Sequence, residues 1–210
     1  MFVRDYMSLD PVTVSPGDTV GYALQLMKEH SIRRLPVVSK DKVVGIVTRQ
    51  DLLRASPSSA TSLSIWEINY LFPKVKIAEV MTKSVISISP GTVLEEAALL
   101  MKENGVSALP VVENKRLVAI ITESDIFKAL IDIFAFDYPG ARLIMEVEDR
   151  VGVLYDITKI ISSLGVNIIT LAARRVEGNR VKIMLRLQDN DVSRVIRLLA
   201  EKGYPVMDAP

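Results

Sequence analysis

Two stretches of this chain repeat one pattern of apolar and polar positions, and a third stretch follows another. Val20, Ala23, Leu24 and Met27 fall at helical spacing, and so do Val93, Ala97, Leu100 and Met101 further on. Before each comes a short β-like run, Val12 to Val14 or Val85 to Ile88, and a Ser-Pro-Gly turn at Ser15–Gly17 or Ser89–Gly91. After each come two strand-like runs, Arg34 to Val38 and Val43 to Val47, matched by Ala108 to Val112 and Leu117 to Ile121. A second helix is expected from Thr48 and from Thr122, so each unit reads β-α-β-β-α. The copies align without a gap at an offset of 74, and 17 of the 47 pairs from Met7 to Leu53 are identical. Two copies are too few for a solenoid, which leaves a pair packed about a pseudo-twofold axis.

Past the second copy the period changes. Asp137-Tyr138-Pro139-Gly140 breaks the helical face that runs through Ile126, Phe127, Leu130, Ile131 and Phe134. Leu143 to Val147, Val166 to Arg175, Arg180 to Leu187 and Pro205 to Met207 read as strands. Between them a helix over Val153 to Leu164 turns Leu154, Ile157, Ile160, Ile161 and Leu164 inward, and one over Asp191 to Lys202 turns Val192, Val195, Ile196 and Leu199 inward. The order is βαββαβ, a ferredoxin-like topology, and the whole chain is α+β. The expected boundaries are 1–55 and 77–136 for the two repeats, 56–76 for a linker and 141–210 for the last domain. In the linker, Ser64 and Glu67 form a capping box for a short helix around Trp66, read as packing across the copies or as a partner surface.

Leu35-Pro36-Val37-Val38 followed by Gly45-Ile46-Val47-Thr48-Arg49-Gln50-Asp51 resembles the CBS domain family. So do Leu109-Pro110-Val111-Val112 and Ala119-Ile120-Ile121-Thr122-Glu123-Ser124-Asp125. The resemblance covers roughly residues 1–134 and implies a paired module with two related clefts for adenosine compounds such as AMP, ATP or S-adenosylmethionine. Asp51 and Asp125 would then accept the ribose hydroxyls. Thr48 and Thr122, at helix starts, would offer free backbone N–H groups to a phosphate. Pro36 and Pro110 hold the chain extended beside the adenine edge. Val14, Ile32 and Leu35, or Ile88, Val106 and Leu109, would sandwich the base. The plainer reading of Thr-x-x-Asp is a capping box, in which the acid serves its own helix.

The copies differ in charge. His30, Arg33, Arg34 and Arg49 become Asn104, Ser107, Ala108 and Glu123. The planar guanidinium suits phosphate, so one phosphate-competent cleft is expected around Arg33, Thr48, Arg49 and Asp51. The cleft near Ser107, Thr122 and Asp125 should take a less anionic ligand or none, and Ala119, in place of the usual Gly, crowds it. Strand alternation lets at most one of Arg33 and Arg34 face the cleft. His30, the only histidine, caps a helix end in this reading.

The last domain resembles the ACT domain over roughly residues 142–208. Asp149-Arg150-Val151-Gly152-Val153-Leu154 looks like that family's Asp-x-Pro-Gly-x-Leu turn, with Val151 in place of Pro, and Gly165-Val166-Asn167-Ile168 like its later Gly-x-Asn-Ile. The resemblance implies an amino-acid effector near Asp149, Gly152, Val153, Leu154, Asn167 and Ile168, with Gly152 admitting close backbone approach, or else a surface for homodimerisation alone. The combination, together with the Ser64–Leu71 linker, looks like the bacterial acetoin-utilisation CBS/ACT proteins, which implies a regulatory role toward an unidentified protein target.

Composition narrows the alternatives. Lys+Arg 26 against Asp+Glu 25 gives a net charge of +1, so no global field draws nucleic acid or an acidic membrane. Cysteine is absent, which removes disulfides, thiolate metal sites and Cys nucleophiles. One histidine leaves no Ser-His-Asp set, and neither a GxxxxGK loop nor a GxGxxG fingerprint occurs. No metal site, cofactor requirement or catalysis is therefore expected. No apolar run nears the ~20 residues of a membrane span, and the N-terminus lacks the layout of a signal peptide, so the expected place is the cytoplasm. The rival to a sensor is an interaction scaffold with vestigial clefts.

Overall fold

Each repeat leaves its own sheet unfinished and completes that of its twin. The structure, a computed structural model, describes residues 1–55 and 74–208. The expected capping box at Ser64 and Glu67, with Trp66, lies outside them. Contacts divide the chain into two units, Met1–Ile126 and Phe127–Pro210.

In the first unit, β1 (Ser8–Leu9) precedes α1 (Val20–Glu29), the hairpin β2 (Arg34–Ser39) and β3 (Lys42–Thr48), and α2 (Arg49–Arg54). The second copy gives α3 (Ile77–Val80), α4 (Leu94–Asn104), the hairpin β4 (Ala108–Glu113) and β5 (Arg116–Thr122), and α5 (Glu123–Ile133), whose later turns belong to the second unit. The hairpins match in detail. Each has an irregularity at its second valine pair, Val37/Val38 or Val111/Val112. Each turns through two positive-φ residues, Lys40-Asp41 or Asn114-Lys115, as a tight two-residue hairpin requires.

The expected strands Val12–Val14 and Val85–Ile88 shrink to one bridge apiece, Val14 with Val37 and Ile88 with Val111. The cause is the turn that follows. The Ser15 N–H donates to the Asp18 carboxylate, and the Ser89 N–H to the Thr92 hydroxyl, so pairing ends as soon as it begins.

The exchange between copies is reciprocal. β1 pairs with β5 of the other copy, Ser8 opposite Ile120 and Leu9 opposite Ala119. In return Thr82 bridges Ile46 of β3 through two 3.0 Å backbone bonds. Val3 donates to the Thr92 carbonyl, and Ile77, its counterpart, to that of Asp18. Ile77 is fully buried in the core of the first copy, among Val20, Ala23, Leu35, Val47 and Leu52.

The second unit holds β6 (Arg142–Glu148), α6 (Val153–Ser163), β7 (Ile168–Val176), β8 (Arg180–Leu187), α7 (Ser193–Glu201) and β9 (Val206–Asp208). The antiparallel sheet runs β7-β8-β6-β9, the expected βαββαβ arrangement. Alternate residues of β6 and β8 (Leu143, Met145, Val147; Val181, Ile183, Leu185, Leu187) share one core with Val153, Ile157 and Ile161 of α6 and Val195 and Leu199 of α7. The buried stripe of α6 therefore runs 153–157–161. Ile157 and Ile161 are inside as expected, with Ile160 and Leu164 packed against the core, whereas Leu154, also expected inside, is 40% exposed, since Val153 takes the place one turn before Ile157.

Candidate functional site

The strand-to-helix corner of the first copy is a closed capping box. Thr48 donates from its backbone N–H (2.9 Å) and its hydroxyl (2.7 Å) to Asp51 Oδ2, and the Asp51 N–H returns to Thr48 Oγ1 at 3.2 Å. Thr122 donates likewise to Asp125 Oδ2 at 2.8 and 2.7 Å. The plain reading of Thr-x-x-Asp is thus correct for one carboxylate oxygen. Oδ1 of each aspartate makes no hydrogen bond among the described residues.

This geometry narrows the set of helix-start N–H groups that stay open to a phosphate. The N–H groups of Thr48 and Asp51 serve the box, and that of Arg49 donates to the Arg33 carbonyl at 2.8 Å. At the second corner the Thr122 N–H goes to Asp125 and the Glu123 N–H to the Ser107 carbonyl. The Gln50 N–H, on the cavity wall, makes no hydrogen bond among the described residues, and arginine side chains stand beside it.

Arg33, Thr48, Arg49 and Asp51 line one cavity of about 760 Å³, and so does Arg34. Both Arg33 and Arg34 border it because β2 begins only at Arg34, so strand alternation does not reach Arg33. Its far wall comes from the other copy: Ser84, Val85, Ile86, Val106, Ser107 and Ala108. Arg34 Nε spans the two copies with a 2.9 Å bond to Ser107 Oγ.

Most of the expected apolar sandwich lies away from this cavity. Val14 and Leu35 belong to the core of the first copy, Ile32 packs against that core, and Ile88 and Leu109 are buried in the second copy. None of the five lines this cavity. Pro36 and Pro110 are buried too, and their carbonyls accept from Val14 and Ile88, which fixes the hairpins rather than a ligand. Val106 does face the cavity, opposite the aspartate of the other copy.

Arg54, Ile46 and Thr82 were not anticipated. The signal for Ile46 and Thr82 is Gly45, a glycine in mid-strand where another backbone comes close. A Cβ there would stand 2.5 Å from Met81 Sδ and 3.1 Å from the Thr82 carbonyl oxygen. Ala119, at the matching position, pairs with Leu9 and is fully buried. His30 is the exposed C-cap of α1, as expected.

In the second unit the six expected effector residues separate. Asp149, Gly152, Val153 and Leu154 line a cavity of about 360 Å³ with Arg175. Asn167 and Ile168 line another, of about 390 Å³, and Tyr155 borders both. Asn167 reaches only Gln188, through a 3.2 Å side-chain bond. Asp149 is tied to Arg175 Nε at 2.8 Å. Gly152 has φ +88°, and a Cβ there would meet nothing nearer than Arg150 at 3.9 Å. Glycine is needed for its backbone angle, not for close approach.

Arg150 donates to Asp156 at 2.6 Å and to the Tyr204 hydroxyl at 2.7 Å, and that hydroxyl donates to Asp156 at 3.0 Å. The Arg150 bond, then that of Tyr204, holds the Asp156 carboxyl below its usual range. Burial, then Asp156, pushes the Tyr204 phenol up. Because the folded-state pKa of Asp156 is depressed, its contribution to stability is present above the ordinary carboxylate value of about 3.9 and is lost as pH falls through the folded value. Asp156→Asn should lower the melting temperature at neutral pH and flatten its decline in acid, as thermal melts from about pH 6 to pH 3 would measure. No helix among the described residues is long and apolar enough to cross a membrane.

Two protein families match different parts of the chain. The CBS domain model matches residues 3–58 and 77–132, and the ACT domain model 141–203. The AcuB structure from Vibrio cholerae, assigned to acetoin utilization, is 33% identical with a TM-score of 0.55, covering 65% of this chain and 95% of that one. CBSX2, solved with AMP, is 31% identical with a TM-score of 0.53 over 63% and 97%. The CBS pair of protein MJ0100, solved with 5′-methylthioadenosine and S-adenosyl-L-methionine, is 28% identical with a TM-score of 0.52 over 62% and 95%. The chain spans less than half the length of the first curated relatives it matches: 46%, 21% and 37% of the first three, two of them inosine-5′-monophosphate dehydrogenases.

Proposed function

Since the chain belongs to the CBS domain family, with an ACT domain behind its CBS pair, we propose that it is a regulatory sensor that binds an adenine nucleotide in the groove shared by its two repeats. One observation carries this reading: the Thr48–Asp51 corner, with a carboxylate oxygen to spare, opens on a cavity that also holds four arginines. Asp51 Oδ1 accepts a ribose hydroxyl, a charge-assisted bond. Val85, Ile86 and Val106 supply the apolar contact for the base, and the guanidiniums take the phosphate. AMP and S-adenosylmethionine in the CBS pairs of two neighbours support an adenosine ligand. The arginines favour its phosphorylated forms, AMP or ATP.

The pair acts by binding rather than by turnover. A ligand that touches both copies shifts their equilibrium only by its differential affinity for two arrangements. The ACT unit supplies homodimerisation, with an amino acid as a further effector. The nine-residue strand β7, at the edge of its sheet among the described residues, supports the first of these roles. Isothermal titration of the full chain with AMP, ATP and S-adenosylmethionine tests the reading, alongside chromatography of the recovered nucleotide. Saturable heat and unchanged nucleotide are expected. No heat from any of the three at millimolar concentration favours the scaffold with vestigial clefts.

A further inference from the structure

Beyond the geometry of the corner, the groove carries more positive charge than a single phosphate needs. Arg33, Arg34, Arg49 and Arg54 line it against one carboxylate, Asp51, a formal excess of +3. None of the four has a carboxylate within ion-pair distance among the described residues. Among the described residues, only Arg34 of the four makes a side-chain hydrogen bond, through its Nε donor to Ser107, one of its five N–H donors. Like charges gathered without counter-charge repel one another, and an anion relieves the repulsion in proportion to its own charge.

Position separates the four. Arg33 and Arg49 flank the corner, joined by the Arg49 N–H bond to the Arg33 carbonyl. Arg54 lies at the last turn of α2, beyond Asp51 and Leu53, and Arg34 reaches toward the other copy. A phosphate next to a ribose held at Asp51 meets the first pair, and a longer phosphate chain extends to the second. We infer that this groove selects nucleoside di- and triphosphates over the monophosphate, with Arg34 and Arg54 reading the added phosphates, and that it disfavours cationic S-adenosylmethionine. The inference rests on the nucleotide reading of the same groove.

The test is calorimetric titration of the full chain with adenosine, AMP, ADP, magnesium-free ATP and S-adenosylmethionine, at low salt and at about 1 M salt, where screening acts within about 3 Å. Affinity should rise from adenosine through AMP and ADP to ATP, with ATP at least about tenfold tighter than AMP at low salt. The ratio should contract at high salt. Arg54→Gln, an exposed change checked for folding by thermal melt, should reduce the ATP-to-AMP ratio by about threefold. AMP and ATP binding within twofold of each other, or S-adenosylmethionine binding as tightly as ATP, overturns the charge selection and leaves the nucleotide reading standing. No binding of any of the five, adenosine included, overturns both.

Discussion

Asp51→Ala should weaken nucleotide binding by about ten- to a hundredfold, the range expected for loss of a hydrogen bond to a charged acceptor worth about 1.5–3 kcal/mol. It should also destabilise the first unit by about 1 kcal/mol, because the same carboxylate closes the capping box on Thr48. The two effects are separable through the repeat. Asp125 makes the same pair of bonds to Thr122. Asp125→Ala should therefore cost similar stability while nucleotide affinity in the arginine-lined groove stays within about twofold. Calorimetry and thermal melts on the two variants decide the matter. Equal loss of affinity in both would show that the aspartates act through folding alone.

Gly45→Val should be the most destabilising single change at the junction of the repeats, by about 1–3 kcal/mol or more. The added carbons meet Met81 and, behind it, the carbonyl of Thr82, whose two backbone bonds to Ile46 tie the second copy to β3. A side chain can swing away, but a paired backbone cannot without giving up the pairing. Gly45→Ala asks less. Shortening its neighbour in the double variant Gly45→Ala/Met81→Ala should recover part of the loss, and a cycle of thermal melts measures that coupling. Full additivity would mean that the two positions do not press on each other. The same variants should depress nucleotide affinity, since Ile46 and Thr82 line the groove.

Much of this was readable along the chain. The 74-residue offset fixed the paired architecture, and alternation and helical spacing gave the βαββαβ order. Four of the groove residues, Arg33, Thr48, Arg49 and Asp51, follow from the corner motif and the difference in charge between copies. What stayed hidden was which copy faces which corner. Val14, Leu35 and Leu109 look like contacts for a base because they neighbour the motif in sequence. Periodicity reports that a residue turns inward, without saying whether the inside is core or cleft. The second unit shows the same limit. Asn167 and Gly152 both mark turns, yet their neighbours line different cavities. On α6 the apolar spacing places Ile157 and Ile161 correctly, but Val153 and Leu154 are both apolar neighbours, and it is Val153 that turns inward.

The reciprocal pairing of Ser8–Leu9 with β5 and of Thr82 with β3 has a consequence for how such a chain assembles. The first half does not hold all the residues of its own hydrophobic interior, since Ile77 fills it from the second. Residues 1–55 on their own would lack that plug and the partner of Ile46, and would gain both only from another polypeptide bearing a similar lead segment. The halves should therefore melt as one cooperative body.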